Sequence, residues 1–120
     1  MMGRKFVNGV EGGSVSVDDR GLQYGDGLFE TMGATNGRVR RFQSHMARLT
    51  EGCHRLGMPT PPVDLIETDC LRALEGFGAA VVKLTLTRGP GPRAYPPPAE
   101  PSPTRIVVST SSKPSATATA

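Results

Sequence analysis

Two Asn-Gly dipeptides constrain the fold of this chain more than any other feature of its sequence. They lie at residues 8–9 and 36–37, and short apolar runs flank each of them. Asn-Gly readily adopts the positive backbone angles of a type I′ turn, which joins two antiparallel strands. We therefore predict two hairpins. Their strands are residues 5–7, 14–17, 28–34 and 38–42.

After residue 42 the hydrophobic period changes from two to about 3.6, which predicts two amphipathic helices. Gly57 and Pro59 end the first helix, and Gly76 and Gly78 end the second. The apolar stripe of the first helix is Phe42, Met46, Leu49, Cys53 and Leu56. The stripe of the second is Val63, Ile66, Cys70, Leu74 and Phe77.

The last third of the chain reads as two strands joined by a proline-rich loop. Residues 80–87 (AVVKLTLT) alternate polar and apolar side chains, and residues 105–110 (RIVVST) are rich in β-branched residues. The prolines between them exclude regular structure. Residues 111–120 lack an apolar pattern and are expected to form a disordered tail. The sequence predicts an α+β fold, an antiparallel β-sheet with two α-helices.

Composition indicates one ordinary soluble domain in the cytoplasm. The 120 residues carry a formal net charge of only +3, which by itself implies no nucleic acid or membrane partner. The N-terminus lacks the apolar region of a signal peptide. Cys53 and Cys70 lack metal-ligand spacing, and we predict buried thiols and no metal site. The basic cluster at residues 38–41 is typical of a solvated strand edge.

The segment at residues 19–31, DRGLQYGDGLFET, holds more glycine and aspartate than a turn requires. Gly-Asp-Gly is a common turn signal, so one interpretation is a hairpin loop. The other interpretation is the wall of a binding site, because glycine lets the backbone approach a ligand closely. Taken by itself, the segment leaves both interpretations open.

Four ordered motifs carry a resemblance to a known family. An early Asn-Gly turn, DRGLQYGDGLFET, HMARL on a helix and TRGPGPRAY after a strand resemble the N-terminal domain of the fold-type IV pyridoxal-phosphate enzymes. These are aminodeoxychorismate lyase, the branched-chain aminotransferases and D-amino-acid aminotransferase, and the lyase is the most similar. The resemblance implies that residues 1–110 form the N-terminal domain and that the C-terminal cofactor domain is absent.

The resemblance also implies roles for individual residues. Arg48 in HMARL matches the arginine that holds the cofactor phosphate, a task that suits the planar guanidinium. Tyr24 matches the substrate-pocket wall, with Gly25 and Gly27 beside it. Arg93 and Tyr95 match a loop that binds the substrate carboxylate. The intact family enzyme is implied to be a homodimer with pyridoxal 5'-phosphate as cofactor and an anionic small-molecule substrate.

No catalytic residue is predicted in this chain. The family's Schiff-base lysine lies beyond the last matching strand and is absent, and Lys83 is expected on a solvated strand face instead. The expectation is an N-terminal fragment of a 4-amino-4-deoxychorismate lyase that is inactive alone. A fragment of a branched-chain or D-amino-acid aminotransferase and a non-catalytic interaction module are the alternatives.

Overall fold

The computed structural model describes residues 3–91 and 102–112, and this part of the chain forms one antiparallel sheet with its larger helices on one face. The strands are β1 (Gly3–Val7), β2 (Val10–Glu11), β3 (Gly27–Thr35), β4 (Arg38–Val39), β5 (Ala79–Thr87) and β6 (Thr104–Ser111). The helices are α1 (Arg20–Tyr24), α2 (Phe42–Leu56) and α3 (Val63–Leu74). The predicted α+β class is confirmed, with one short helix more than predicted.

The order of the strands in the sheet differs from their order in the sequence. It runs β2-β1-β6-β5-β3-β4, and every neighbouring pair is antiparallel. The last strand, β6, therefore lies between β1 and β5 and ties the beginning of the chain to its end. By contrast, β4 pairs only with Ala34 and Thr35 of β3. Within the described residues, no strand pairs with that edge of β3 from residue 27 to residue 33.

The two faces of the sheet have different environments because successive side chains of a strand point in opposite directions. The face covered by α2 and α3 holds the core, in which Met32, Leu84 and Val107 are fully buried. The other face, here called the open face, carries Phe29 and Lys83. Both side chains are exposed to solvent. Among the described residues, one face of the sheet thus packs in an ordinary core, and much of the other face is exposed to solvent.

Both Asn-Gly turns have the predicted conformation. The φ angles are 50° and 81° at Asn8 and Gly9, and 51° and 81° at Asn36 and Gly37. Two successive positive φ angles define the type I′ turn. The turn chemistry could therefore be predicted from the dipeptides alone.

Several predicted boundaries were wrong. The first hairpin returns through Val10–Glu11 instead of residues 14–17, because Gly12 takes a φ of 70° and the chain leaves the sheet. The second returns only through Arg38–Val39, because Arg41 takes a left-handed conformation before α2 begins. Helix α3 ends at Leu74, although Phe77 still packs against the core.

We expect Cys53 and Cys70 to resist thiol reagents as long as the chain is folded. Both are buried, and burial raises the pKa of the Cys70 thiol to about 12 and raises that of Cys53 as well. The reactive thiolate is therefore disfavoured and also shielded. Labelling with an aromatic disulfide should be slow in buffer and reach both thiols in denaturant. Rapid labelling of either cysteine in the native chain would contradict their place in the core.

Candidate cofactor and substrate site

A buried carboxylate joins strand β3 to helix α2. Glu30 lies on the helix-covered face of the sheet, and its side chain is only 6% exposed. Its oxygen Oε2 accepts a hydrogen bond from Arg48 Nε at 2.9 Å, and Oε1 accepts one from Arg48 Nη2 at 2.9 Å. His45 Nδ1 donates to the same Oε1 at 2.7 Å. We call these three residues the Glu30 cluster.

The Glu30 cluster holds the carboxylate in its ionised form. The hydrogen bonds from Arg48 lower the pKa of Glu30, and His45 acts in the same direction, against the effect of burial. An ionised carboxylate only accepts hydrogen bonds, so the contact with His45 requires a proton on Nδ1. The cluster thus satisfies a buried charge that would otherwise be costly.

The Glu30 cluster should make stability depend on acid pH. Because the folded-state pKa of Glu30 is lowered, its contribution is present above its ordinary pKa of 4.5 and is lost as pH falls through the folded value. We expect the wild-type chain to exceed Glu30→Gln in free energy of unfolding near neutral pH. Urea unfolding of both proteins should show this difference shrinking below pH 4.5. A difference that does not change with pH would contradict the ion pair.

Arg48 has the donor geometry needed for a phosphate group. Its side chain is 72% exposed although Glu30 holds one edge of the guanidinium. The outer edge consists of Nη1 and the second hydrogen of Nη2. No group within residues 3–91 and 102–112 accepts a hydrogen bond from Nη1. A planar fork of this kind can donate to two phosphate oxygens at once.

The segment at residues 19–31 forms a short helix rather than a simple loop. Asp19 caps α1 by accepting a hydrogen bond from the backbone N–H of Gly21 at 2.8 Å. Gly25 ends the helix with a left-handed φ of 68°. Gly27 is required for a different reason, since an added Cβ would lie 2.5 Å from the carbonyl oxygen of Leu86. These two glycines therefore serve the local backbone and the strand packing.

The same segment also lines a cavity, as the second interpretation of the sequence supposed. The cavity has a volume of about 450 Å³ and opens between α1 and the open face. Leu22 and Gly25 line one side, and Phe29, Thr85 and Ile106 line the other. Most of these side chains are apolar, as is usual in the walls of pockets that bind small molecules.

Tyr24 lies close to this cavity but is not among the residues that line it. Its side chain is partly exposed, and the guanidinium of Arg20 lies 4.9 Å from the centre of its ring. Arg20 is itself held by Asp26 at 3.0 Å. The predicted role of Tyr24 in substrate binding stays a prediction.

The remaining sequence predictions have different outcomes. Arg93 and Tyr95 lie outside the described residues. Lys83 lies on the open face as predicted, with Nζ 4.5 Å from the centre of the Phe29 ring. In the part of the chain that the structure describes, no group of three or more potential ligands is arranged for a metal ion. None of the helices there is long and apolar enough to span a membrane.

Two residues of the candidate site were not identified from the sequence. For both residues, the feature of the sequence that could have identified them is the alternation of side chains between the two faces of β3. Glu30 shares its face with the apolar Met32 and Ala34, which marks a charge in a core position that needs a partner. Phe29 faces the other way and is 59% exposed, which is unusual for a phenylalanine within a strand.

Comparison with known proteins identifies the family. The sequence profile of the family described as amino-transferase class IV matches residues 27–120. This chain belongs to the class IV aminotransferase family. The match covers β3, the Glu30 cluster and the strands that line the cavity, whereas Leu22 and Gly25 on the other side of the cavity precede the matched residues.

The similar proteins include lyases and aminotransferases, and two of the lyases are similar in sequence. The chain is 32% identical over 92 residues to aminodeoxychorismate lyase from Vibrio harveyi. The matched region covers 77% of this chain and 34% of the relative. A solved 4-amino-4-deoxychorismate lyase from Pseudomonas aeruginosa is 42% identical, with a TM-score of 0.82 over 92% of this chain and 41% of that one.

A branched-chain amino acid aminotransferase from Escherichia coli has a TM-score of 0.79 at 21% identity, over 90% of this chain and 40% of that one. This likeness concerns the fold alone. The chain thus spans about a third of the length of the curated lyase and about two-fifths of each solved structure.

Proposed function

We propose that this chain is the smaller domain of a pyridoxal-phosphate-dependent lyase that converts 4-amino-4-deoxychorismate into 4-aminobenzoate and pyruvate. The observation that carries the proposal is Arg48, an arginine fixed at one edge by Glu30 and exposed at the other. The 42% identity to the lyase from P. aeruginosa favours this reaction over amino transfer. Residues 1–110 would form the domain, which Ser111 extends as the last residue of β6.

Arg48 would hold the phosphate of the cofactor through the outer edge of its guanidinium. An arginine is well suited here because it stays charged and offers two parallel donors. When bound, pyridoxal phosphate supplies an electron sink for the bond cleavage. The lysine that carries the cofactor would belong to the C-terminal domain, so we propose that the present chain is inactive alone.

The open-face cavity would receive the ring of the substrate. Phe29 supplies an aromatic wall, and the ammonium group of Lys83 lies 4.5 Å from that wall. A cation beside an apolar wall suits a substrate that combines an unsaturated ring with carboxylates. Tyr24, Arg93 and Tyr95 would complete the substrate side, with the arginine paired to a carboxylate.

The uncovered parts of the sheet would be covered in the intact enzyme. Phe29 is exposed on the open face, and its strand β3 has an unpaired edge among the described residues. Surfaces of this kind commonly mark a contact with another domain or subunit. A C-terminal domain would close the cavity and contribute the remaining cofactor contacts. A second copy would produce the family's homodimer.

A chimeric enzyme tests this proposal directly. Residues 3–112 would replace the matching part of the P. aeruginosa lyase, leaving the C-terminal part of that enzyme unchanged. We expect formation of 4-aminobenzoate without any keto-acid acceptor. The chain alone should form none.

The other outcomes of this assay separate the alternatives. Activity that requires a keto-acid acceptor would support an aminotransferase. A folded chimera that binds pyridoxal phosphate but is inactive with both substrates would contradict the lyase proposal. Failure of the two parts to fold together, with a chain that is stable by itself, would support a non-catalytic interaction module.

A further inference from the structure

We propose that Glu30 is a positioning residue that orients Arg48 for the cofactor phosphate. This inference rests on the proposed function, because it assigns the phosphate to the outer edge of Arg48. Glu30 would not touch the cofactor itself. It would act through the arginine by keeping the guanidinium in one orientation.

The contrast in burial between the two side chains carries the inference. Glu30 is 6% exposed and lies on β3, on the face that α2 covers, whereas Arg48 is 72% exposed on the surface of α2. An exposed arginine would otherwise occupy many rotamers. The two parallel hydrogen bonds of 2.9 Å fix both the position and the plane of the guanidinium.

The edge of the Arg48 guanidinium that Glu30 binds matters as much as the fact that Glu30 binds it. Glu30 takes Nε and one hydrogen of Nη2, and both of its oxygens are used. The remaining donors of Arg48, both on Nη1 and one on Nη2, form a second fork on the far side. A phosphate could bind there without displacing the carboxylate. The arginine would then bridge two anions, one permanent and one supplied by the ligand.

His45 holds the carboxylate from a second direction. It lies three residues before Arg48 on the same side of α2, and its Nδ1 donates to Oε1 at 2.7 Å. Glu30 is therefore held by two residues of α2, and the carboxylate cannot rotate without breaking one of these contacts. The Glu30 cluster thus couples the orientation of Arg48 to the packing of α2 on β3.

One effect opposes this role. Glu30 lowers the net positive charge near Arg48, which weakens the attraction for a phosphate. Because the side chain of Arg48 is largely exposed, water and salt screen this repulsion. Water and salt do not remove the benefit of a fixed orientation, because a guanidinium that is already ordered loses less entropy on binding the phosphate. We therefore expect the orienting effect to be the larger one.

The test compares pyridoxal phosphate with pyridoxal, which lacks the phosphate, on the full chain. Affinities measured by equilibrium dialysis give a preference ratio for the phosphate form. Glu30→Gln should lower this ratio about tenfold. Without Glu30, the arginine must lose its rotamer entropy when it binds the phosphate, and the free-energy cost of that loss corresponds to a change of this order. Glu51→Gln is the control, because it removes a carboxylate that pairs with another exposed arginine of α2, Arg55, at 3.1 Å, but that carboxylate is itself exposed. The control should leave the ratio unchanged.

Two further measurements keep the inference testable if Glu30→Gln does not fold. Arg48→Lys keeps the charge at an exposed position and removes the fork, and it should lower the ratio to the same extent. The side-chain Nε–H resonance of Arg48 should be sharp and slowly exchanging in the wild-type chain. It should be averaged in Glu30→Gln if that variant folds.

An unchanged or higher ratio in Glu30→Gln would overturn the inference, and so would a wild-type ratio in Arg48→Lys. The proposed function can fail separately. If the wild-type chain shows no preference for the phosphate form, the phosphate role of Arg48 is wrong. The resonance of Arg48 then still decides whether Glu30 orients it.

Discussion

Replacement of Arg48 by alanine should lower the affinity of the chimeric enzyme for pyridoxal phosphate on the order of a hundredfold, because two charge-assisted hydrogen bonds to the phosphate are lost. Arg48 is exposed, so the fold should tolerate the change. Fluorescence titration of the cofactor measures the loss. Affinity for pyridoxal should change little, since that ligand has no phosphate to lose.

Arg55→Ala is the control for this prediction. Arg55 lies on the same helix, is equally exposed and pairs with a carboxylate of α2. Its removal should leave cofactor affinity within the error of the titration. Equal losses in the two variants would mean that general surface charge binds the cofactor. Wild-type affinity in Arg48→Ala would remove this residue from the site.

Leu84→Ala should destabilise the chain by about 2–5 kcal/mol, the usual range for a leucine removed from a packed core. Leu84 lies in β5 between β3 and β6 and is fully buried under the helices. The loss includes both the transfer free energy of the side chain and the cavity that remains. Urea unfolding of the full chain gives the change in free energy.

Val81→Ala tests whether that loss reflects the face of the sheet. Val81 lies on the same strand, but on the open face, and is 40% exposed. Its replacement should cost about 1 kcal/mol or less, because little apolar surface is buried there. Similar losses at both positions would contradict the assignment of a covered face and an open face.

Features determined by local chemistry could be predicted from the sequence. The Asn-Gly turns require only the two residues that form them, and both have the expected positive φ angles. Helix α2 could be predicted because its apolar stripe is long and Gly57 ends it in a left-handed conformation, although residue 42 was also assigned to the preceding strand. The same stripe places Arg48 on this helix, and the resemblance implies its phosphate role.

Features that depend on distant contacts could not be predicted in the same way. Helix α1 has only five residues, and its cap Asp19 is held by Thr104, whose hydroxyl donates at 2.5 Å from 85 residues away. No local pattern carries that contact. The position of β6 between β1 and β5 likewise depends on long-range pairing. The Glu30 cluster required knowledge of which sheet face α2 covers.

Mapping the site of cofactor attachment tests the central claim most directly. The chain would be incubated with pyridoxal phosphate and borohydride, and its peptides analysed by mass spectrometry. We expect reversible binding that weakens in Arg48→Ala, and no stoichiometric covalent labelling of Lys5, Lys83 or Lys113. This result would support a domain that binds the phosphate but lacks the reacting lysine. Stoichiometric labelling of one lysine, with Lys83 the first to examine, would contradict the account.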